Sequence, residues 1–151
     1  SFKYLNIYTN LSINEMSLII KNLDKKTLIK NIIKIINISK ISNWTFKNFI
    51  LNLPGKWNKS IAVFDKTKKQ LIAFSILSEN KKNVHIHLLM VGKKYQGTGV
   101  GSKILKKISD QTNKNITVKT YTSLINTIKF YKKHGFSVKY LKKQIVFFEK
   151  R

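Results

Sequence analysis

Cysteine is absent from this chain of 151 residues, arginine occurs once, at Arg151, and proline once, at Pro54. Without cysteine there is no disulfide framework, no thiolate zinc site and no thiol nucleophile. Six acidic residues and three histidines leave few ligands for a metal ion. No stretch approaches the ~20 consecutive apolar residues that a helix needs to cross a bilayer, and no signal-peptide pattern opens the chain. The expectation is a soluble, cytoplasmic protein with no membrane partner. A hydrophobic share of 42% at this length suits one compact domain over residues 1–151, with a core of its own.

What the chain has in excess is lysine. Thirty basic residues against six acidic ones give a net charge of +24, which predicts attraction to polyanions, nucleic acid among them. Recognition of phosphates and base edges leans on the planar fork of arginine, and that is nearly missing. The lysines are also spread along the whole chain, as in a solvated coat. Nucleic acid is therefore not the favoured partner.

The apolar pattern divides the chain into elements. Phe2 to Tyr8 alternates as a strand does, and Leu11 to Leu23 reads toward a first helix with Asn14 as its cap. Asp24 can cap a further helix, whose apolar residues between Thr27 and Ile38 recur at helical spacing. Ser42 or Asn43 can cap a short helix with Trp44, Phe46, Phe49 and Ile50, stopped at Pro54 and Gly55. Ser60 to Asp65 and Gln70 to Ser78 read as paired strands, followed by a strand from Val84 to Val91. Beyond a glycine-rich turn, a helix to about Gln111, a strand at Ile116 to Tyr121, a helix from Leu124 to His134 and two closing strands complete the order. A meander followed by strand, helix, strand, helix is an α/β pattern: a mixed central sheet with helices on both faces and the Val84 strand near its middle.

The stretch around which this is organised is NVHIHLLMVGKKYQGTGVGSKIL, Asn83 to Leu105. Gly97, Gly99 and Gly101 alternate where a strand gives way to a helix. Such glycines let successive N–H groups point into one concavity, and the helix dipole adds partial positive charge, a setting for a diphosphate. His85 and His87 lie two apart on one strand, so both project from the same face. An imidazole can accept a proton near neutrality. With no cysteine and no third neighbouring ligand, no metal site is expected of the pair.

Gln96, Gly99 and Gly101 fill the loop pattern, and Phe130, Tyr131, Gly135 and Phe136 fill the later Phe-Tyr, three residues, Gly-Phe pattern, of a known family. The combination resembles the GNAT superfamily of N-acetyltransferases, over about residues 60 to 148. The HIH pair is similar to that of the serotonin N-acetyltransferase branch, and the YQG spelling of the loop to glucosamine-phosphate N-acetyltransferases. The resemblance implies acetyl-CoA as cosubstrate, lying along the backbone of Leu89, Met90 and Val91. Its diphosphate would sit on the amides of Gln96, Gly97, Thr98, Gly99, Val100, Gly101 and Ser102, with Phe130 beside it. It implies His85 and His87 as the base relay that deprotonates a primary amine, and Tyr131 as the acid for the departing sulfur, the imidazoles and the phenol flanking the thioester on one side of the sheet. Many members carry an asparagine where this chain has Leu124, with Asn126 two residues on. The implied acceptor is a small amine or amino-sugar phosphate. A protein amine, an aminoacyl-tRNA, or a basic RNA-binding module with no catalysis are the alternatives, and a homodimer is compatible with the family.

Overall fold

The computed structural model describes residues 17–151. The strand expected at Phe2 to Tyr8 and the cap expected at Asn14 lie outside the described residues. Among the described residues, seven strands form one mixed sheet: β1 (Leu18–Asn22), β2 (Ile61–Asp65), β3 (Gln70–Glu79), β4 (Asn83–Val91), β5 (Asn115–Tyr121), β6 (Ser137–Lys142) and β7 (Ile145–Lys150). Their spatial order is β1-β2-β3-β4-β5-β7-β6, so the Val84 strand stands fourth of seven. β1 to β4 run antiparallel in sequence, β4 and β5 pair parallel, and β5 and β6 each pair antiparallel with β7.

Helices cover both faces. On one lie α1 (Lys25–Lys30), α2 (Ile32–Ile38), α3 (Phe46–Ile50) and α4 (Lys56–Lys59), whose Leu28, Ile35 and Phe49 pack with Phe74, Ile76 and Leu88 of the sheet. On the other lie α5 (Val100–Asp110) and α6 (Ile125–Lys133), packed over Val63, Ile72, Val84, Ile86, Val118 and Phe148. Both of these helices connect parallel strands and step the same way across the sheet, so right-handed crossovers put them on the same face. α5 buries Val100, Ile104, Leu105 and Ile108, the stripe its sequence spacing predicts.

Three expectations of the N-terminal part are corrected. Leu18–Asn22 is a strand, not the end of a helix, and it pairs with β2 from Leu18↔Asp65 to Asn22↔Ile61. Leu18 and Ile20 pack against the α5 and α6 side while Ile19 stays 42% exposed, so period two won over period 3.6 once a partner strand was available. The helix expected from Thr27 to Ile38 is two helices meeting at Asn31 (φ −110°, ψ 16°), whose side-chain amide donates to the Thr27 carbonyl at 2.8 Å. The cap of α3 is Thr45, whose N–H and hydroxyl both donate to Asn48 Oδ1 at 2.8 and 2.9 Å, not Ser42 or Asn43. Asp24 does cap α1, its carboxylate accepting the Thr27 N–H at 2.8 Å.

The short α4 follows Gly55, which adopts φ 74°, a left-handed conformation. It delivers Lys56 into the interior with no exposed surface. Lys56 Nζ donates to the carbonyls of Phe49 and Leu51 at 2.6 Å, at the C-terminal end of α3, and at 3.4 Å to that of Asn48, which also accepts the Leu51 N–H. Burial, with Lys25 adding a little, pushes this amine down to about 8, while the carbonyls favour its protonated form. Lys56→Met leaves the Phe49 and Leu51 carbonyls without this donor and should cost about 2 kcal/mol, read as a lower urea midpoint at unchanged slope. An unchanged midpoint would mean that the lysine's desolvation outweighs its bonds.

Candidate active site

The site begins with one extra residue in β4. Its register against β3 passes from Leu77↔Ile86 to Ile76↔Leu88, so His87 has no opposite number. Such a bulge bends the strand and increases its twist. The Ser75 hydroxyl holds the bend by donating to the Leu88 carbonyl at 2.8 Å. Pairing of β4 with β5 then covers only Asn83↔Asn115 to Ile86↔Val118. Beyond that point Leu88 to Val91 stay with β3, Lys119 to Tyr121 stay with β7, and a wedge opens between them. One wall of the wedge is the free edge of β4 at Leu89, Met90 and Val91. An open strand edge can pair with an extended, amide-bearing chain as if with another strand.

At the mouth of the wedge lies the glycine loop. Gly97 and Gly99 take φ 76° and 94°, and Gly99 is the N-cap of α5. The Gln96 N–H is taken by the Lys93 carbonyl at 3.4 Å, while its side-chain amide donates to the Val91 carbonyl at 3.1 Å, bracing loop to strand. From Gly97 through Ser102, six consecutive backbone N–H groups find no acceptor among the described residues; helix bonding resumes with Lys103 donating to Gly99. A Cβ on Gly97 would meet nothing within 4 Å, so the loop is open there. These observations fit a diphosphate: donors in series, room at the first glycine, and the positive end of an eleven-residue helix. Below the loop, Tyr95 donates its hydroxyl to Asp65 at 3.2 Å, and the Thr98 hydroxyl donates to the Tyr95 carbonyl.

The third glycine has a different duty. A Cβ on Gly101 would stand 3.2 Å from the Phe130 ring, so this glycine lets α5 close on α6. Phe130, expected beside the cofactor, is wedged against Gly101 and the rings of Tyr131 and His134.

Val84 and Ile86 are buried toward α5 and α6, so alternation turns His85 and His87 to the other face. Their rings stand edge to face, 4.7 Å apart. His85 Nδ1 pairs with the Thr117 hydroxyl at 2.8 Å, His87 Nε2 with the Ser78 hydroxyl at 2.6 Å, and Trp44 lies 6.2 Å from the His87 ring. Burial lowers His85, with the charge of Lys119 adding to it. Burial pushes His87 down to about 4, helped by His85, Lys56 and Lys119. Both shifts favour the neutral ring, and each ring has one nitrogen engaged by a hydroxyl.

Tyr131 does not join them. It is 5% exposed, on the α5 and α6 side, against Phe136 and Phe148, and burial drives its phenol well above the usual range. The arrangement expected on one side of the sheet is thus corrected: imidazoles and phenol occupy opposite faces. The hydroxyl partners Ser78 and Thr117, and Lys119, two residues past Thr117 on the imidazole face, were not legible in the sequence; each becomes a neighbour only through cross-strand register.

A family model described as an acetyltransferase (GNAT) domain matches residues 39–146. No curated protein matches the chain. Among solved structures, the ribosomal-protein-S18-alanine N-acetyltransferase from Escherichia coli is similar at a TM-score of 0.73 and 16% identity, covering 89% of this chain and 93% of that one. The PaiA N-acetyltransferase from Thermoplasma acidophilum in complex with coenzyme A gives 0.69 and 15% over 90% and 99%. An acetyltransferase from Arabidopsis thaliana in complex with the bisubstrate analogue CoA-Ac-MVNAL gives 0.68 and 18% over 88% and 97%. At such identities the likeness is one of fold. The family match over most of the chain, on this sheet order and above this glycine loop, makes the chain a member of the GNAT family of acetyl-CoA-dependent N-acetyltransferases.

Proposed function

We propose that the chain moves acetyl directly to a primary amine within a ternary complex, with His85 and His87 as the base relay and Tyr131 as the proton donor to the departing sulfur. One observation carries the reading: the run of unpaired amides from Gly97 to Ser102 opens onto a wedge whose far end holds two neutral imidazoles. Acetyl-CoA supplies a thioester carbonyl as the electrophile. A primary amine is mostly protonated near neutrality, with a pKa of about 10.4 for a lysine-like group, so a base must act before attack. The ring nitrogens not engaged by Ser78 and Thr117 are the candidates for that step. A phenol held protonated by burial suits a donor to the leaving thiolate.

For the acceptor we favour a small amine carrying an anionic group, such as an amino-sugar phosphate. Lys119 stands near both imidazoles, exposed and without an ion-pair partner among the described residues, where such a group could rest. A protein amine is the second reading, supported by the fold likeness to the E. coli ribosomal-protein-alanine acetyltransferase and to the plant enzyme in complex with its bisubstrate analogue.

Thiol release from acetyl-CoA, measured with amino-sugar phosphates, polyamines and alanine-initiated peptides, separates these readings. Saturation by a sugar phosphate, lost in Lys119→Met, supports the first; turnover on the peptides alone supports the second. Absence of calorimetric acetyl-CoA binding together with salt-sensitive RNA binding would sink both.

Replacing His85 and His87 together by alanine should lower kcat by about 10²-fold and make the remaining rate climb with hydroxide. An unaltered pH profile would remove the base assignment. Tyr131→Phe should lower kcat by about tenfold or more with acetyl-CoA affinity retained, and the wild type should show no alkaline limb from the phenol up to pH 10. Stability carries its own sign. A histidine whose folded pKa lies near 4 binds fewer protons than its unfolded form at about 6.5. Its contribution is complete above pH 6.5 and is lost as pH falls toward 4. His87→Gln should therefore flatten the fall of the wild-type melting temperature across that window.

A further inference from the structure

Two hydrogen bonds join helix ends that the reading above uses separately. His134, the C-cap of α6, has Nδ1 2.8 Å from the Phe130 carbonyl and Nε2 2.8 Å from the Ser102 hydroxyl. The carbonyl can only accept, so Nδ1 carries a proton and donates. In the neutral ring Nε2 is then a lone pair, which accepts the proton of the Ser102 hydroxyl. Ser102 is the third residue of α5, and its own N–H is the last of the six unpaired amides. The Phe130 ring fills the space between, 3.2 Å from where a Cβ of Gly101 would be and 4.6 Å from the His134 ring. A dipole contact at the end of α6 explains the bond to Phe130, since the last turn has carbonyls to satisfy. It does not explain the bond to Ser102.

We infer that His134 is a positioning residue for the cofactor's diphosphate: it ties the end of the helix that carries Tyr131 to the first turn of the helix that offers the amides. The bond to Ser102 fixes both the azimuth of that turn and the rotamer of its hydroxyl. His134 follows Tyr131 by three positions, at the cap of the same helix, so the clamp also sets the spacing between the amide cradle and the phenol. The inference rests on the reading of Gly97 to Ser102 as a diphosphate cradle.

Calorimetry with coenzyme A and kinetics with S-acetylpantetheine, which lacks the diphosphate, separate the clamp from general damage. For His134→Phe, which keeps a ring and loses both bonds, the Kd of coenzyme A should rise about tenfold while the KM for S-acetylpantetheine stays put. His134→Gln, able to present an acceptor toward Ser102, should recover most of the affinity. His134→Asn, able to reach only the Phe130 carbonyl, should not. Equal losses for coenzyme A and S-acetylpantetheine, or recovery by asparagine instead of glutamine, would reduce His134 to a helix cap and overturn the inference. If His134→Phe fails to fold, the glutamine and asparagine pair still decides. Wild-type protein that does not bind coenzyme A at all would sink the cradle itself, a failure distinct from equal affinities in wild type and variants.

Discussion

The parting of β4 from β5 after Ile86 and Val118 is the constraint on which the site depends. A parallel pair held to its ends would bury the backbone of Leu89 to Val91 in the ladder and leave nowhere for an extended cosubstrate to pair. One unpaired residue, His87, turns the strand away, and the Ser75 hydroxyl secures the turn through the Leu88 carbonyl. The same residue that creates the opening contributes an imidazole to its inner end. The wedge and the placement of the His87 ring are one local event in the chain.

The imidazoles and the phenol lie on opposite faces of the sheet. His85 and His87 sit over α1 to α4, Tyr131 under α5 and α6, and an intact sheet would insulate them. Where two strands no longer pair, the sheet is open between the faces. Gly97 and Gly99 supply the left-handed turns, while Gly101 serves packing against Phe130. A motif of three glycines thus divides into two jobs, only one of which faces the ligand.

Charge is distributed with a matching logic. The lysine coat is solvated almost everywhere, yet Lys56 is fully buried on the carbonyls that end α3, and Lys119 stands exposed near the imidazoles. Both cations act in the same direction as burial on His87, holding it neutral. The phenol across the wedge is displaced the other way by the same desolvation, and so keeps its proton. Opposite shifts follow from one physical cause acting on an acid whose charged form is anionic and a base whose charged form is cationic.

Most of the elements from Ser60 onward were legible because their signals are local: period two in the strands, period 3.6 in α5, glycine and Gln96 at the turn. The glycine loop and the Phe-Tyr motif likewise pointed to the family, since each is a short run of particular residues at fixed spacing. The N-terminal half was less legible. Leu18–Asn22 became a strand only because β2 offered it a partner, and Asn31 broke a helix through a side-chain bond that competes with the backbone. What the sequence determined by itself was the set of short-range choices, and with them the loop, the histidine pair and the buried stripe of α5. What the tertiary structure alone decided was which groups meet: Thr117 with His85, Ser78 with His87, Ser102 with His134, and Tyr131 across the sheet from the imidazoles. Those contacts join residues distant in the chain, and their register is fixed by strand pairing and one bulge, which no local pattern of residues encodes.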